Sequence, residues 1–175
     1  MNIGDKGIEL IKYFESLHDG DLAVIGLQPK LCPAGIWTEG WGHAIIDPET
    51  NKLLKGVENK DKAYKLSKFK NPYVDDIIEA EQLLKEDLKK YANIVDRKIK
   101  VKLNQSQYDA LVSHTFNTGG SSTLFDLINT VPLNSERIKI WFTTKYVTAG
   151  GKLLNGLVKR RNVEYKLFST GELKL

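Results

Sequence analysis

Hydrophobic positions in the first half of the chain follow two different periods. Near the N-terminus, apolar side chains recur at a three-residue spacing that predicts a helix over the first fourteen or so residues. They are Ile8, Ile11, Phe14 and Leu17. Over residues 20–46 this spacing stops, and five glycines and two prolines separate short apolar runs. Such a composition predicts a small β-sheet with tight turns, followed by a turn at 47–51.

A helical period returns after residue 57 and gives the longest predicted element. One face of this helix carries apolar side chains, namely Ile77, Leu84, Leu88, Tyr91 and Val95. Acidic residues at 75–76 and basic residues at 97–98 complement the helix dipole at its two ends. We therefore predict a long helix with one buried face.

The next helix is predicted from its end signals. Asn104 is the expected N-cap, and Gln107 three residues later completes a capping box. Gly119 and Gly120 predict the end of this helix. Shorter helices are expected at 122–129, 135–143 and 158–168. The predicted fold class is α+β, with a small β lobe at about 18–50, a larger helical lobe formed by 1–17 and 58–175, and a cleft between them.

Length and composition favour a single domain. The chain has 175 residues, of which 41% are hydrophobic and 27% charged, as is ordinary for a globular protein. It has no run of 18 apolar residues, so we predict no membrane insertion. The N-terminal residues lack the continuous apolar stretch of a signal peptide. We therefore expect the protein to start in a cytoplasm and to need a separate exit route.

Charge and cysteine content change this picture only a little. The net charge of +4 either favours a polyanion, such as a bacterial wall, or simply aids solubility. The basic run at 159–161 is interpreted as a solvated helix face, with attraction to the wall as the alternative. Cys32 is the single cysteine, which excludes an internal disulfide. The three histidines and Cys32 show no metal-ligand spacing, so neither a metal nor another cofactor is predicted.

Glu15 is the first candidate for catalysis. It lies at the end of the first predicted helix, directly after Tyr13 and Phe14. A glycosidase needs a carboxyl group that is still protonated near neutral pH, and apolar neighbours favour that form. Charged residues are common at helix ends, so Glu15 alone does not establish an active site.

The segment at 32–43 adds a pattern to this glutamate. It reads Cys-Pro-Ala-Gly-Ile-Trp-Thr-Glu-Gly-Trp-Gly-His, with Cys32 and Thr38 six positions apart. It closely resembles the β-lobe motif of the phage-type lysozymes (endolysins, glycoside hydrolase family 24), where a catalytic Glu precedes an Asp or Cys and then a Thr. The segments 103–111, 116–119 and 149–161 resemble the helical part of that family. The resemblance covers most of the chain, with blanks near 47–75.

The resemblance implies a lysozyme-like fold and a muramidase activity. The enzyme would hydrolyse the β-1,4 bond between N-acetylmuramic acid and N-acetylglucosamine in bacterial peptidoglycan. Glu15 would protonate the leaving oxygen, and Cys32 and Thr38 would hold the attacking water in an inverting arrangement. A cysteine thiol is mostly neutral at pH 7 and is then a poor base. We therefore expect water positioning to matter more than proton abstraction.

One departure from the family pattern concerns the base. Sixteen residues separate Glu15 from Cys32, where the family has about eight. Either a longer hairpin is inserted and Cys32 still returns to the cleft, or an inserted carboxylate, Asp19 or Asp21, has become the base. The first alternative is favoured because Cys32 keeps its spacing to Thr38.

Further site residues are implied by the same resemblance. Phe116, Asn117 and Gly42 would contact the glycan, although Phe116 equally completes an apolar helical face. His43 is expected to form a structural pair with Asp87 on the long helix. Trp37 and Trp41 are expected in the core rather than stacked on sugar.

Two other functions stay open at this point. A lytic transglycosylase of the same fold would need the glutamic acid but no water-holding pair, and an inactive wall-binding or phage structural module would need neither. The expected partner is peptidoglycan, with no nucleic acid, and the expected state is a monomer. For a phage protein, a holin would release it from the host cytoplasm to the wall. A secreted antibacterial effector is the other setting considered.

Overall fold

The first predicted helix is confirmed by the structure. This computed structural model describes residues 1–17, 27–69 and 75–175, with only the backbone described at 75–76. Helix α1 spans Asp5–Glu15 and buries Ile8, Leu10 and Ile11. Ser16 has a φ of 58°, in the left-handed region, and a right-handed helix cannot continue through it.

The described residues form two compact units. The helical unit consists of Met1–Phe14 and Leu88–Leu175, and the β unit consists of Glu15–Asp87. Within the described ranges there are seven α-helices, and the short strands pair into three small antiparallel sheets. This content confirms the α+β class. The single-domain interpretation and the cleft stay predictions.

Most of the strands lie in the β unit. Strands β1 (Lys30–Leu31), β2 (Trp37–Glu39) and β3 (His43–Ala44) form one sheet in that order. Strands β4 (Ile46–Asp47) and β5 (Lys52–Leu53) form a hairpin. The predicted turn at 47–51 is therefore confirmed. A 3₁₀ turn (Val57–Asn59) and helix α2 (Lys60–Leu66) follow.

The β unit has its own small core. Trp37, Ile45, Leu54 and Ala63 are buried together, and Leu31, Tyr64 and Leu66 pack against them. The indole Nε1 of Trp37 donates a hydrogen bond to the Gly56 carbonyl at 2.8 Å, so its one polar atom is satisfied. Trp41 is also buried. Both tryptophans therefore occupy the core, as predicted.

The helical unit contains the later helices. They are α4 (Gln105–Thr118), α5 (Ser122–Asn129), α6 (Ser135–Thr144) and α7 (Asn155–Thr170). Strands β6 (Thr148–Ala149) and β7 (Lys152–Leu153) form a hairpin before α7. The capping box is confirmed, because the Asn104 and Gln107 side chains accept from each other's backbone N–H groups at 2.9 and 3.0 Å. Gly119, with φ of 80°, ends α4 as predicted.

Helix α3 (Asp75–Lys98) is the long predicted helix. Leu84, Leu88 and Val95 are buried, as the periodic pattern requires, and Tyr91 is half-buried. The prediction for Ile77 is wrong, since this side chain is 51% exposed. The apolar period defines a face, but not how far along the helix other residues cover it. Among the described helices, none has both the length and the hydrophobicity needed to cross a membrane.

Candidate active site

Glu15 is the last residue of α1 and is half-buried. The two aromatic residues before it pack against each other, with ring centroids of Tyr13 and Phe14 5.0 Å apart in an edge-to-face arrangement. The left-handed Ser16 turns the chain immediately after the carboxylate. Glu15 therefore lies between a pair of packed aromatic rings and a left-handed turn of the backbone.

Gly42 lies beside this carboxylate. Its φ is 83°, a conformation that L side chains rarely adopt, and a Cβ added there would lie 3.6 Å from Glu15 Oε2. The turn between β2 and β3 therefore approaches the Glu15 carboxylate with its backbone. The structure brings together two of the predicted site residues that are far apart in sequence.

Cys32 and Thr38 lie on the same face of the β1–β2 hairpin. Thr38 pairs with Lys30 across the two strands, and the Cys32 N–H donates to the Ile36 carbonyl at 2.8 Å. Lys30 and Cys32 are two residues apart, so their side chains point to the same side of the strand. Directly opposite residues also share a face, which places Thr38 on that side as well. The six-residue spacing thus brings a thiol and a hydroxyl to one surface.

The other face of this hairpin carries two large apolar side chains. Leu31 and Trp37 are paired across the strands and belong to the small core of the β unit. On the face of Cys32 and Thr38, the Thr38 hydroxyl donates to the Lys30 carbonyl at 3.2 Å. Cys32 is a free, half-buried thiol. Leu31 and Trp37 therefore anchor the hairpin in the small core, while on the other face Thr38 is itself buried and Cys32 is half-buried.

Glu39 is a charged residue of this motif whose burial the sequence reasoning missed. Its side chain is 1% exposed, and its carboxylate accepts hydrogen bonds from Ser67 Oγ at 2.6 Å and from the Lys68 N–H at 3.1 Å. It alternates with Thr38 along β2 and so points to the opposite face. This alternation along the strand could have indicated from the sequence that Glu39 faces away from Thr38. Glu39 ties β2 to the end of α2 and is separate from the face that carries Thr38.

His43 and Asp87 lie together, with 2.8 Å between Nδ1 of the imidazole and Oδ2 of the carboxylate. Both side chains are largely buried. His43 pairs with Glu39 in the register of β2 and β3, so this contact links the sheet to α3 within the β unit. The geometry is that of a structural pair, although the role assigned to it stays a prediction.

Phe116 and Asn117 lie in the helical unit, at the end of α4. Phe116 is half-buried, with its ring centroid 5.1 Å from that of Tyr91 in an edge-to-face arrangement. Asn117 is exposed, and its side-chain oxygen accepts a hydrogen bond from Arg161 Nη2. One aromatic ring and one oriented amide are therefore next to each other at this helix end.

The basic run at 159–161 is not a solvated face, and that prediction is wrong. Arg160 and Arg161 are 3% and 0% exposed. Only Lys159 is exposed; its ammonium donates to the Tyr13 hydroxyl and lies 4.6 Å from the centre of the Tyr13 ring. The Arg160 guanidinium lies 5.6 Å from the centre of the Phe14 ring. These contacts attach α7 to the end of α1.

Glu164 is the buried counter-charge of the two arginines. Its carboxylate lies 3.2 Å from Arg160 Nε and 2.9 Å from Arg161 Nη1, and it accepts from Ser113 Oγ at 2.8 Å. Burial raises the pKa of Glu164, whereas the two guanidinium groups and the Ser113 hydrogen bond lower it. Burial likewise lowers the pKa of Arg161, and Glu164 opposes that effect. The run is buried because Glu164 follows at helical spacings of three and four residues.

Asp19 and Asp21, the alternative bases, lie outside the described residues. Across 1–17, 27–69 and 77–175, where side chains are described, no three His, Cys, Asp or Glu side chains are grouped so that they could hold a metal ion. Within the β unit, the predicted site residues that the structure describes are Glu15, Cys32, Thr38, Gly42, His43 and Asp87. Phe116 and Asn117 belong to the helical unit.

Comparison with known proteins gives a consistent set of relatives. Residues 23–164 match the family described as Phage lysozyme. The chain is 35% identical to an endolysin of Bacillus phage B103, over 99% of this chain but 56% of the relative's length. It is 32% identical to an endolysin of Acyrthosiphon pisum secondary endosymbiont phage 1, over 97% of this chain and 99% of the relative.

A solved structure of another endolysin is also similar to this chain. The endolysin from Escherichia coli O157:H7 phage FAHEc1 superposes with a TM-score of 0.68 at 28% identity, covering 100% of this chain and 98% of that one. The match covers the chain from end to end. The likeness is therefore one of complete fold and not of a single motif.

Proposed function

Because the chain belongs to the phage lysozyme family, we propose that it is a muramidase that hydrolyses the β-1,4 bond between N-acetylmuramic acid and N-acetylglucosamine in peptidoglycan. The observation that carries this proposal is the close approach of the Gly42 backbone to Glu15 Oε2. The Glu15 carboxylate thus lies at a helix end, next to a turn whose residue 42 brings no side chain toward it.

Glu15 is proposed as the general acid. It would protonate the glycosidic oxygen as the bond to the leaving sugar breaks. Cys32 and Thr38 would hold a water molecule on the opposite side of the sugar, where it attacks the anomeric carbon. Their shared face on the β1–β2 hairpin supports this pairing, because both polar groups can contact one water molecule only from the same side.

Cys32 is preferred over Asp19 and Asp21 as the water-holding residue. Its position relative to Thr38 is set by the hairpin register, and the length of chain that precedes β1 does not alter that register. The Thr38 hydroxyl donates to the Lys30 carbonyl, and a hydroxyl oxygen that donates its hydrogen can also act as an acceptor. A water oriented in this way needs only weak basic assistance from sulfur.

Phe116, Asn117 and Gly42 are proposed to contact the glycan. An aromatic ring suits the apolar face of a sugar, and an oriented amide suits its polar substituents. The proposed substrate is bacterial peptidoglycan, and the proposed state is a monomer. In a phage, the protein would wait in the host cytoplasm until a holin gives it access to the wall.

The central test is clearing of a peptidoglycan suspension by the wild type and by Glu15→Gln. We expect Glu15→Gln to lose about 10²–10⁴-fold in rate, the range typical of a general acid. Glu9→Gln is the matched control, since Glu9 is an exposed glutamate of the same helix, and its rate should equal that of the wild type. Full activity in Glu15→Gln would overturn the assignment of the acid.

A second set of variants identifies the base. Cys32→Ala should reduce the rate strongly while Asp19→Asn and Asp21→Asn leave it unchanged. The reverse result would indicate that Asp19 or Asp21, which precede β1, acts as the base. Mass spectrometry of the products separates hydrolysis, which leaves reducing muramic acid ends, from transglycosylation, which leaves 1,6-anhydro ends. Binding to sacculi without any clearing would instead indicate an inactive wall-binding module.

A further inference from the structure

The exposed Asn117 side chain is hydrogen-bonded to a buried cluster of charged side chains. Arg161 Nη2 donates to Asn117 Oδ1, and the same guanidinium pairs through Nη1 with Glu164 at 2.9 Å. Glu164 is in turn held by Arg160 and by the Ser113 hydroxyl. All of these partners are buried, whereas Asn117 is exposed. The position of Arg161 is therefore determined by the interior of the helical unit.

Arg161 also determines which atom of Asn117 points outward. A guanidinium group has five N–H donors and no acceptor, so only the oxygen of the Asn117 amide can face it. The amide nitrogen must then point away from Arg161. Because Asn117 is exposed, its two N–H donors are directed to the surface.

We propose that Arg161 is a positioning residue that holds the Asn117 amide in one orientation, so that Asn117 donates a hydrogen bond to the carbonyl oxygen of an N-acetyl group of the glycan. This proposal rests on the proposed muramidase function. Both sugars of peptidoglycan carry an N-acetyl group, and its amide oxygen is a strong acceptor. A freely rotating asparagine would present its oxygen half of the time, and two carbonyl oxygens repel each other.

Asn117→Asp is the most direct test. It keeps the shape of the side chain and keeps an oxygen for Arg161, but it places a second oxygen where the donor was. On soluble, un-cross-linked glycan strands we expect KM to rise about tenfold, the equivalent of one lost hydrogen bond of about 1.4 kcal/mol. The value of kcat should stay within about twofold, because the contact is present before and during the reaction. An unchanged KM would overturn the proposal.

Strands without N-acetyl groups test the identity of the acceptor. On chemically N-deacetylated strands, Asn117→Asp should show no increase in KM over the wild type, since an amine replaces the carbonyl. An equal increase on both substrates would show that Asn117 contacts another group and would overturn the assignment. Asn162→Asp is the matched control, because it adds the same charge at an exposed asparagine of α7. If it reproduces the effects of Asn117→Asp, they arise from general electrostatics and the proposal fails.

The positioning role is tested at Arg161 itself. Arg161→Met removes the donor, and we expect a smaller rise in KM than for Asn117→Asp. Arg161→Lys restores a group that can only donate, and it should recover most of the wild-type KM. Should Arg161→Met fail to fold, the KM of Arg161→Lys compared with that of Asn117→Asp still tests the positioning role. If the wild type does not clear peptidoglycan at all, the muramidase function is refuted. If it clears normally and Asn117→Asp has an unchanged KM, only this inference is refuted.

Discussion

His114 gives a stability prediction that does not depend on the proposed activity. It is fully buried in α4, and its ring centroid lies 5.3, 5.5 and 5.6 Å from those of Trp141, Phe142 and Tyr146. Its pKa is lowered to about 2, first by burial and then by the positive charges of Arg161 and Arg160. Protonating this ring in the folded protein would add a third cation to an interior that already holds two.

The size of the effect follows from proton linkage. A histidine in the unfolded chain has a pKa of about 6.5. Between pH 6.5 and about 2, the unfolded state therefore binds one more proton than the folded state, and the free energy of unfolding falls as the pH falls. At pH 4.5, two units below 6.5, the loss is about 2.7 kcal/mol relative to pH 7.5. Because pH 4.5 is far above the folded pKa, this figure depends little on its precise value.

The measurement is urea unfolding of the wild type and of His114→Phe between pH 7.5 and 4.5. Phenylalanine fits the aromatic surroundings and does not titrate, so the carboxylates contribute equally to both proteins. We expect the difference between their free energies of unfolding to shift by about 2.7 kcal/mol in favour of His114→Phe at the lower pH. A difference that is constant over this range would refute the conclusion that His114 is neutral when folded.

Three further predictions follow from the site and its surroundings. Gly42→Ala should lower the free energy of unfolding in urea by about 1–2 kcal/mol, because residue 42 has a left-handed backbone, and it should also lower the clearing rate. Gly156→Ala is the control: there is open space around Gly156, so its stability and clearing rate should equal those of the wild type. Glu164→Gln should lose about 3–5 kcal/mol in urea unfolding, because it removes the buried carboxylate that pairs with both Arg160 and Arg161. Cys32→Asp should move the optimum of clearing to lower pH, since a carboxylate stays ionised where a thiol is protonated; identical pH–rate profiles would contradict the proposed role of Cys32.

Local signals predicted the helices well because their causes are local. The capping box of α4 requires only Asn104 and Gln107, three residues apart, and Gly119 ends the helix through its own backbone conformation. The shared face of Cys32 and Thr38 is similarly contained in a short hairpin. In each case, the residues that determine the geometry lie within a few positions of one another.

The failures concern burial that depends on distant residues. Three consecutive basic residues indicate a surface, yet Arg160 and Arg161 are buried because Ser113 of α4 completes the site around Glu164. Ile77 fits an apolar period but is half-exposed, since its burial depends on what else covers that part of α3. Spacing within α7 places Glu164 near both arginines, but it does not show that Ser113 of another helix encloses them or which part of α3 stays uncovered.

The β1–β2 hairpin has a consequence for how this protein can vary. The relation between Cys32 and Thr38 is fixed by cross-strand pairing and by the turn at 32–36, and none of these restraints involves the chain before Lys30. The stretch that follows Glu15 can therefore change in length without altering the spacing of the two groups.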